Sequence, residues 1–193
     1  MDLRDAVFRA RGFTPVPFVL ASLVWAKPEL WTAIAGAILC VFGELLRISA
    51  LRHAGGATRT RNVGAPDLVS SGPYGHVRNP LYLANMMLYT GFAMASGAFQ
   101  PFLPVVVLLF FSWQYGMIIS LEEGTLRTLF GPKYAEYCKS VPRLWPRFGS
   151  GGTPRPAPYS LGEALREERS TLLGLSVTWA LLVVRVIFLP ELS

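Results

Sequence analysis

The chain has 193 residues, 52% of them apolar and only 16% charged, with a formal net charge of +6 at pH 7. Soluble domains average about 25% charged residues, and here several runs of about 20 residues carry almost none, which excludes an ordinary soluble domain and points to an all-α integral membrane protein. Two cysteines in unlike settings, Cys40 and Cys138, and only two histidines, His53 and His76, exclude a disulfide framework and a structural zinc site.

In chain order the apolar runs predict about five transmembrane helices. The first, over 13–26, is short and contains Pro15 and Pro17. Its basic approach (Arg4, Arg9, Arg11) imitates a signal peptide. The two prolines and a second apolar run from Leu30 favour a retained helix. The second span covers 30–46, the third 81–99, the fourth 102–121 and the fifth 171–189. A full span needs about 20 residues at a rise of about 1.5 Å each, so the first is marginal in length.

The basic residues supply an independent check on this count. With the N-terminus in the cytoplasm, all of the 18 Lys and Arg except Lys27 and Arg185 fall on the cytoplasmic side, as the positive-inside rule requires. The net charge then reads as an anchor on anionic lipid rather than a nucleic-acid footprint. Two polar regions share that side. Residues 52–79 form an irregular loop broken at Gly55-Gly56, Gly64, Pro66 and Gly72-Pro73. Residues 122–170 open with an amphipathic helix (Leu126, Leu129, Phe130), interrupted at Gly131-Pro132 and resumed by Tyr134, Tyr137 and Val141. A Pro/Gly-rich linker follows over 146–158, then a short charged helix over 162–170. The whole chain reads as a single membrane domain over 1–193 with a C-terminal helix over 171–189 and no internal repeat.

The chemistry is concentrated where the two polar regions meet the spans. The stretch Gly72–Leu83 (GPYGHVRNPLYL) opens span three, and Glu122-Glu123 closes span four. An antiparallel hairpin of these spans brings Arg78 near the two acids. Acids at the end of an apolar helix need a partner or water. They serve either as solvated interface residues, paired with Arg127, or as part of a polar pocket. A carboxylate pair, an Arg, a His and several tyrosines on one face suit S-adenosylmethionine. Glu pairs with its ammonium, Arg takes its carboxylate as a bidentate partner, and aromatic faces receive its adenine and sulfonium. No glycine-rich dinucleotide fingerprint follows a predicted strand, so a soluble Rossmann site is not supported.

Two motifs in this order resemble the isoprenylcysteine carboxyl methyltransferase and phospholipid methyltransferase superfamily of integral membrane enzymes. The first is Gly72-Pro73-Tyr74 followed by Arg78-Asn79-Pro80-Leu81-Tyr82. The second is Glu122-Glu123-Gly124-Thr125-Leu126, then Phe130-Gly131-Pro132-Lys133-Tyr134-Ala135-Glu136-Tyr137 and Val141-Pro142-Arg143. Together they define a methyltransferase motif core over 72–146. The resemblance implies methyl transfer from S-adenosylmethionine, entering from the cytoplasm, to a lipidic acceptor arriving through the membrane. The acceptor would be the carboxylate of a prenylated cysteine type, the amine of a phospholipid head group, or a smaller hydrophobic metabolite. It further implies a cytoplasmic-face cofactor pocket of Tyr74, His76, Arg78, Asn79, Tyr82, Glu122, Glu123, Tyr134 and Tyr137, with Glu123, Arg143 and His76 as catalytic residues and no metal. The family's histidine is Asn79 here. Asn hydrogen-bonds but cannot shuttle a proton, so a base at that position is lost, and His76 is the nearby substitute. The alternative functions are a membrane NADPH-dependent reductase, since related folds bind nicotinamide cofactors, and a non-catalytic membrane scaffold.

Overall fold

The computed structural model describes residues 3–55, 68–147 and 156–188. Six α-helices account for most of them: α1 (Leu3–Ala10), α2 (Pro15–Val24), α3 (Leu30–Ala54), α4 (Pro80–Ser96), α5 (Phe102–Ser140) and α6 (Leu161–Phe188), with a 3-10 turn at Gly72–Gly75. Described residues contain no strand. Three helices, α3, α5 and α6, are long and apolar enough to cross a membrane. The other two expected spans form the shorter helices α2, of 10 residues, and α4, of 17. Residues 56–67 of the loop expected over 52–79 and most of the linker expected over 146–158 lie outside the described residues, as does the last residue of the fifth expected span.

Proline placement explains several boundaries. Pro15 opens α2 and Pro80 opens α4, where the missing N–H has no intrahelical partner to lose and the fixed φ suits the first turn. Pro15 and Pro17 therefore start the first apolar helix rather than break it. Inside α5, Gly131 adopts φ 50°, ψ −123°, and Pro132 follows it, so the helix kinks where the motif Phe-Gly-Pro predicted an interruption. The charged helix expected over 162–170 is not separate from the last span. The two are one continuous helix, α6, in which no proline interrupts the hydrogen-bond ladder from Leu161 to Phe188. Its N-terminus is a reciprocal cap: the Ser160 N–H and hydroxyl donate to Glu163, and the Glu163 N–H donates to Ser160 Oγ.

The chain divides into two compact units. The first comprises Met1–Glu44, Asn85–Ile118 and Arg169–Ser193. Its core joins α3, α4 and α6 through Cys40, Leu88, Phe92 and Leu182, together with Ala26, and Val19 and Leu23 of α2 pack against it. The contact of α3 with α4 is a small-residue seam. A Cβ on Gly36 would strike the Gly91 carbonyl and Ala95, and one on Gly91 would come within 2.7 Å of the Gly36 carbonyl, so the two backbones touch. A second cluster is aromatic, with Phe111 packed against Phe18 of α2 and Tyr89 of α4 at ring-centroid distances of 5.6 and 4.5 Å. Outward-facing Ile38, Val41, Leu109, Leu173, Val177 and Leu181 are exposed, as lipid-facing positions must be. Arg185, within α6, is 7% exposed and donates to the Val24 carbonyl at the end of α2. A cation there meets the negative end of the helix dipole.

The second unit comprises Leu45–Ala84 and Ile119–Glu168. Its interior packs Tyr134, Tyr137 and Val141 against Leu68, Leu126, Phe130 and Cys138. Arg47 lies one turn from Glu44 on α3. Its guanidinium reaches Glu168, which accepts from Arg47 Nε at 3.1 Å and Nη2 at 2.9 Å while fully buried.

Candidate functional site

The site is built within the second unit by two short segments lying side by side. The Arg78 N–H donates to the Pro142 carbonyl at 2.9 Å, and the Arg147 N–H donates to the His76 carbonyl at 3.0 Å. This antiparallel pairing joins the Gly-Pro-Tyr…Arg-Asn-Pro segment to the Val-Pro-Arg segment that follows α5. Gly72 makes the turn possible. Its φ of 57° is left-handed, and its α-hydrogen faces the ring of His53, where any Cβ would clash.

Glu123 is the keystone. It is 2% exposed, and both of its oxygens are engaged. Arg78 Nε and Nη2 donate to Oε1 at 3.1 and 3.0 Å, and Arg143 Nη2 donates to Oε2. Arg78 spends its remaining arm on main-chain carbonyls, Nη1 donating to Cys138 at 3.0 Å and Val141 at 2.9 Å. Cys138 lies in the last turn of α5 and Val141 immediately follows the helix, where carbonyls lack intrahelical partners and a cation suits them. Arg78, expected to receive a ligand carboxylate, is thus largely consumed in tying α5 to the segment beside it. Arg143 is different. Its side chain is 43% exposed, and its one bond to Glu123 leaves guanidinium N–H groups directed elsewhere. The bond to Glu123 holds its pKa above the ordinary arginine value.

Glu122, the neighbouring acid, is half-buried and accepts from the Tyr82 hydroxyl at 2.6 Å. Adjacent helical residues point about 100° apart, which is why two consecutive acids meet different partners. Asn79 donates its amide to the Arg143 carbonyl at 3.1 Å, so the residue standing at the family's histidine position fixes the backbone that carries Arg143. His76 is exposed, with Nδ1 bonded to the Arg147 carbonyl at 3.0 Å. That bond makes Nδ1 the protonated nitrogen and leaves Nε2 as the acceptor.

The tyrosines divide by burial. Tyr134 is 1% exposed and Tyr137 is buried. The Tyr137 hydroxyl donates to the Tyr74 carbonyl at 2.6 Å. Burial pushes the hydroxyls of Tyr74, Tyr134 and Tyr137 well above the ordinary tyrosine pKa. For Tyr74 the neighbouring Tyr137 and Glu122 add to that rise, and for Tyr134 Glu123 does. All three stay neutral donors. Among the sequence-predicted residues, then, Arg78, Glu123, Tyr134 and Tyr137 form the interior, and Glu122, Tyr82, Arg143 and His76 are reachable from outside. The pairing of Arg47 with Glu168 and the α5 carbonyls under Arg78 had no motif to announce them. The only sequence signal for Glu168 is its place four residues after Ala164, on the face of α6 that is fully buried. Among the described residues no group of three or more His, Cys, Asp or Glu side chains is placed to hold a metal ion.

The chain is similar to several curated proteins. It is 35% identical over 144 residues to the cobalt-zinc-cadmium resistance protein CzcN of Cupriavidus metallidurans, covering 68% of this chain and 60% of that protein. It is 27% identical over 146 residues to the protein-S-isoprenylcysteine O-methyltransferase of Xenopus laevis, covering 66% and 46%. The Mus musculus protein of that name is 30% identical over 135 residues, again covering 66% and 46%. The chain thus spans about half to three fifths of the length of these relatives. No solved structure matches it. Residues 31–133, more than half of the chain, match the phospholipid methyltransferase family, and the chain belongs to that family.

Proposed function

We propose that this protein is a membrane-embedded, S-adenosylmethionine-dependent methyltransferase acting on a lipidic acceptor, with its N-terminus and site loops in the cytoplasm. The observation that carries the reading is the division of labour between the two acids. Glu123 is buried between Arg78 and Arg143, while Glu122 and the outer edge of Arg143 remain within reach of a ligand. A half-buried carboxylate and an exposed guanidinium within one unit match the ammonium and carboxylate of an amino-acid moiety.

In this reading Glu122 holds the ammonium, and the Tyr82 hydroxyl orients its carboxylate. Arg143 takes the carboxylate with the N–H groups that Glu123 leaves over. Glu123 acts through Arg143 and Arg78 and is a positioning residue. Asn79 serves the same end from the backbone side. Tyr74 offers an aromatic face beside Glu122. Bound in such a site, S-adenosylmethionine supplies an electrophilic methyl group on a positive sulfur. The protein's contribution is alignment for in-line displacement and exclusion of water. A carboxylate acceptor needs no base. An amine acceptor must lose a proton, and His76 Nε2 is the exposed acceptor nearest the motif.

Calorimetry on the purified protein tests this. S-adenosylmethionine binds the wild type and binds more weakly to Glu122→Gln. Binding of NADPH with no binding of S-adenosylmethionine would replace the reading with a reductase. Binding of neither by a folded protein would leave a scaffold.

A further inference from the structure

The first unit contains a second polar feature that the methyltransferase motifs do not touch. Gln114 lies about 18 Å along α5 from Phe102 at about 1.5 Å per residue, within its apolar stretch. It is 0% exposed, and neither its amide oxygen nor its amide nitrogen has a hydrogen-bond partner among the described residues. Two hydroxyls of the same unit share this condition. Ser22 of α2 is 1% exposed and Thr90 of α4 is 8% exposed, and neither hydroxyl has a partner.

The contrast with other helical hydroxyls is informative. Ser112, Thr125, Thr128 and Thr178 all donate to the carbonyl four residues earlier, at 2.6 to 3.3 Å. That bond is the default for such a residue on an apolar helix. Ser22 and Thr90 forgo it, and Gln114 cannot make it. Buried polar groups are otherwise almost always paired, and in a membrane unit no bulk water relieves them.

We infer that Gln114 is the recognition residue of a closed binding site, which takes an amide or hydroxyl group carried on an apolar chain. A carboxamide has both a donor and an acceptor to satisfy. A ligand group with both, such as an amide or an alcohol, satisfies it completely, whereas an ester offers only acceptors. The surroundings suit an apolar chain. One turn before Gln114, Phe111 is fully buried between Phe18, Tyr89 and Tyr115. The ligand enters when these rings part, and the unpaired amide favours that opening because only the bound form pairs it.

Thermal unfolding of the purified full chain in detergent tests the site independently of methyl transfer. The probes are dodecanamide, with donor and acceptor, and methyl dodecanoate, with acceptors only. Gln114→Leu and the unbranched Gln114→Met each melt a few degrees above wild type, since they remove an unpaired group while keeping its volume. Dodecanamide raises the wild-type midpoint in a dose-dependent way and loses that effect in both variants. Methyl dodecanoate acts equally on all three. The inference is overturned if both variants melt below wild type, which would mean that the amide is already paired in the closed protein. An unchanged dodecanamide shift in the variants overturns it too. Absence of S-adenosylmethionine binding by the wild type would sink the methyltransferase reading and leave this one standing.

Discussion

Replacing Glu123 by Ala removes the one negative charge that Arg78 and Arg143 share. The carboxylate is almost fully buried and accepts two bonds from Arg78 and one from Arg143. Breaking a buried ion pair from one side costs about 3–5 kcal/mol, because the partner charge stays behind. Arg78 cannot swing out to water, since its Nη1 is held by two carbonyls at the end of α5. Arg143 can, being 43% exposed, so most of the loss falls on Arg78. The expected effect is therefore about 3–5 kcal/mol, or a fall of the order of 10 °C in the unfolding midpoint for a chain of this size. Glu122→Gln is the control. It keeps an acceptor for Tyr82 and costs about 1 kcal/mol or less. On the proposed function it weakens S-adenosylmethionine binding by about 10- to 100-fold, the worth of one charge-assisted bond. The assay is unfolding in detergent followed by tryptophan fluorescence, with calorimetry on each variant. The reasoning fails if Glu123→Ala melts with wild type, or if it stays stable and loses cofactor binding outright. The second result would make Glu123 a ligand contact and not a keystone.

Other outcomes follow from the same geometry. Glu168→Ala strands Arg47 in a buried setting and destabilises by about 3–5 kcal/mol, whereas Arg47→Met combined with Glu168→Leu recovers most of that loss in the same melt. Gly72→Ala meets both a left-handed φ and the His53 ring, so it lowers stability. Adding His53→Ala restores only the part due to the clash, which a double-mutant cycle on the midpoint measures. Gly91→Leu pushes α4 off α3, and the variant is recovered from membranes in lower yield. Two hydrogen bonds from Ser160 hold the Glu163 carboxyl below its ordinary 4.5. A group whose pKa is depressed by folding stabilises above its unfolded pKa and loses that contribution as pH falls through the folded one. Relative to intrinsic exchange rates at each pH, the amides at the start of α6 are therefore less protected well below pH 4.5 than at pH 6, and Glu163→Gln reduces that difference.

The helices were legible in the sequence because length and apolarity are local properties, as were Pro80 at a helix start and Gly131-Pro132 at the kink. The union of Arg78 with Glu123 was legible as proximity, since a short connection between two apolar runs returns the chain to the same side. What was not legible depended on distant main chain. Arg78 reads as a free cation until the carbonyls of Cys138 and Val141 consume its Nη1. Asn79 reads as a lost base, yet its amide fixes the Arg143 backbone. Both acids read as cofactor contacts, with Glu123 also catalytic, and only the 100° turn between them separates a buried keystone from a reachable carboxylate. Glu168 read only as part of a short charged helix. Gln114 gave no signal, because a lone polar residue in an apolar run says nothing of what lies opposite.

The most direct test of the central claim is transfer of a labelled methyl group. Purified protein, S-adenosylmethionine labelled on that methyl, and a total lipid extract are incubated together, and the organic phase is counted and resolved. The account predicts labelled lipid with the wild type and at least a tenfold lower rate with Glu122→Gln at limiting cofactor. No labelled product from folded wild-type protein, or equal product from both proteins, would contradict it.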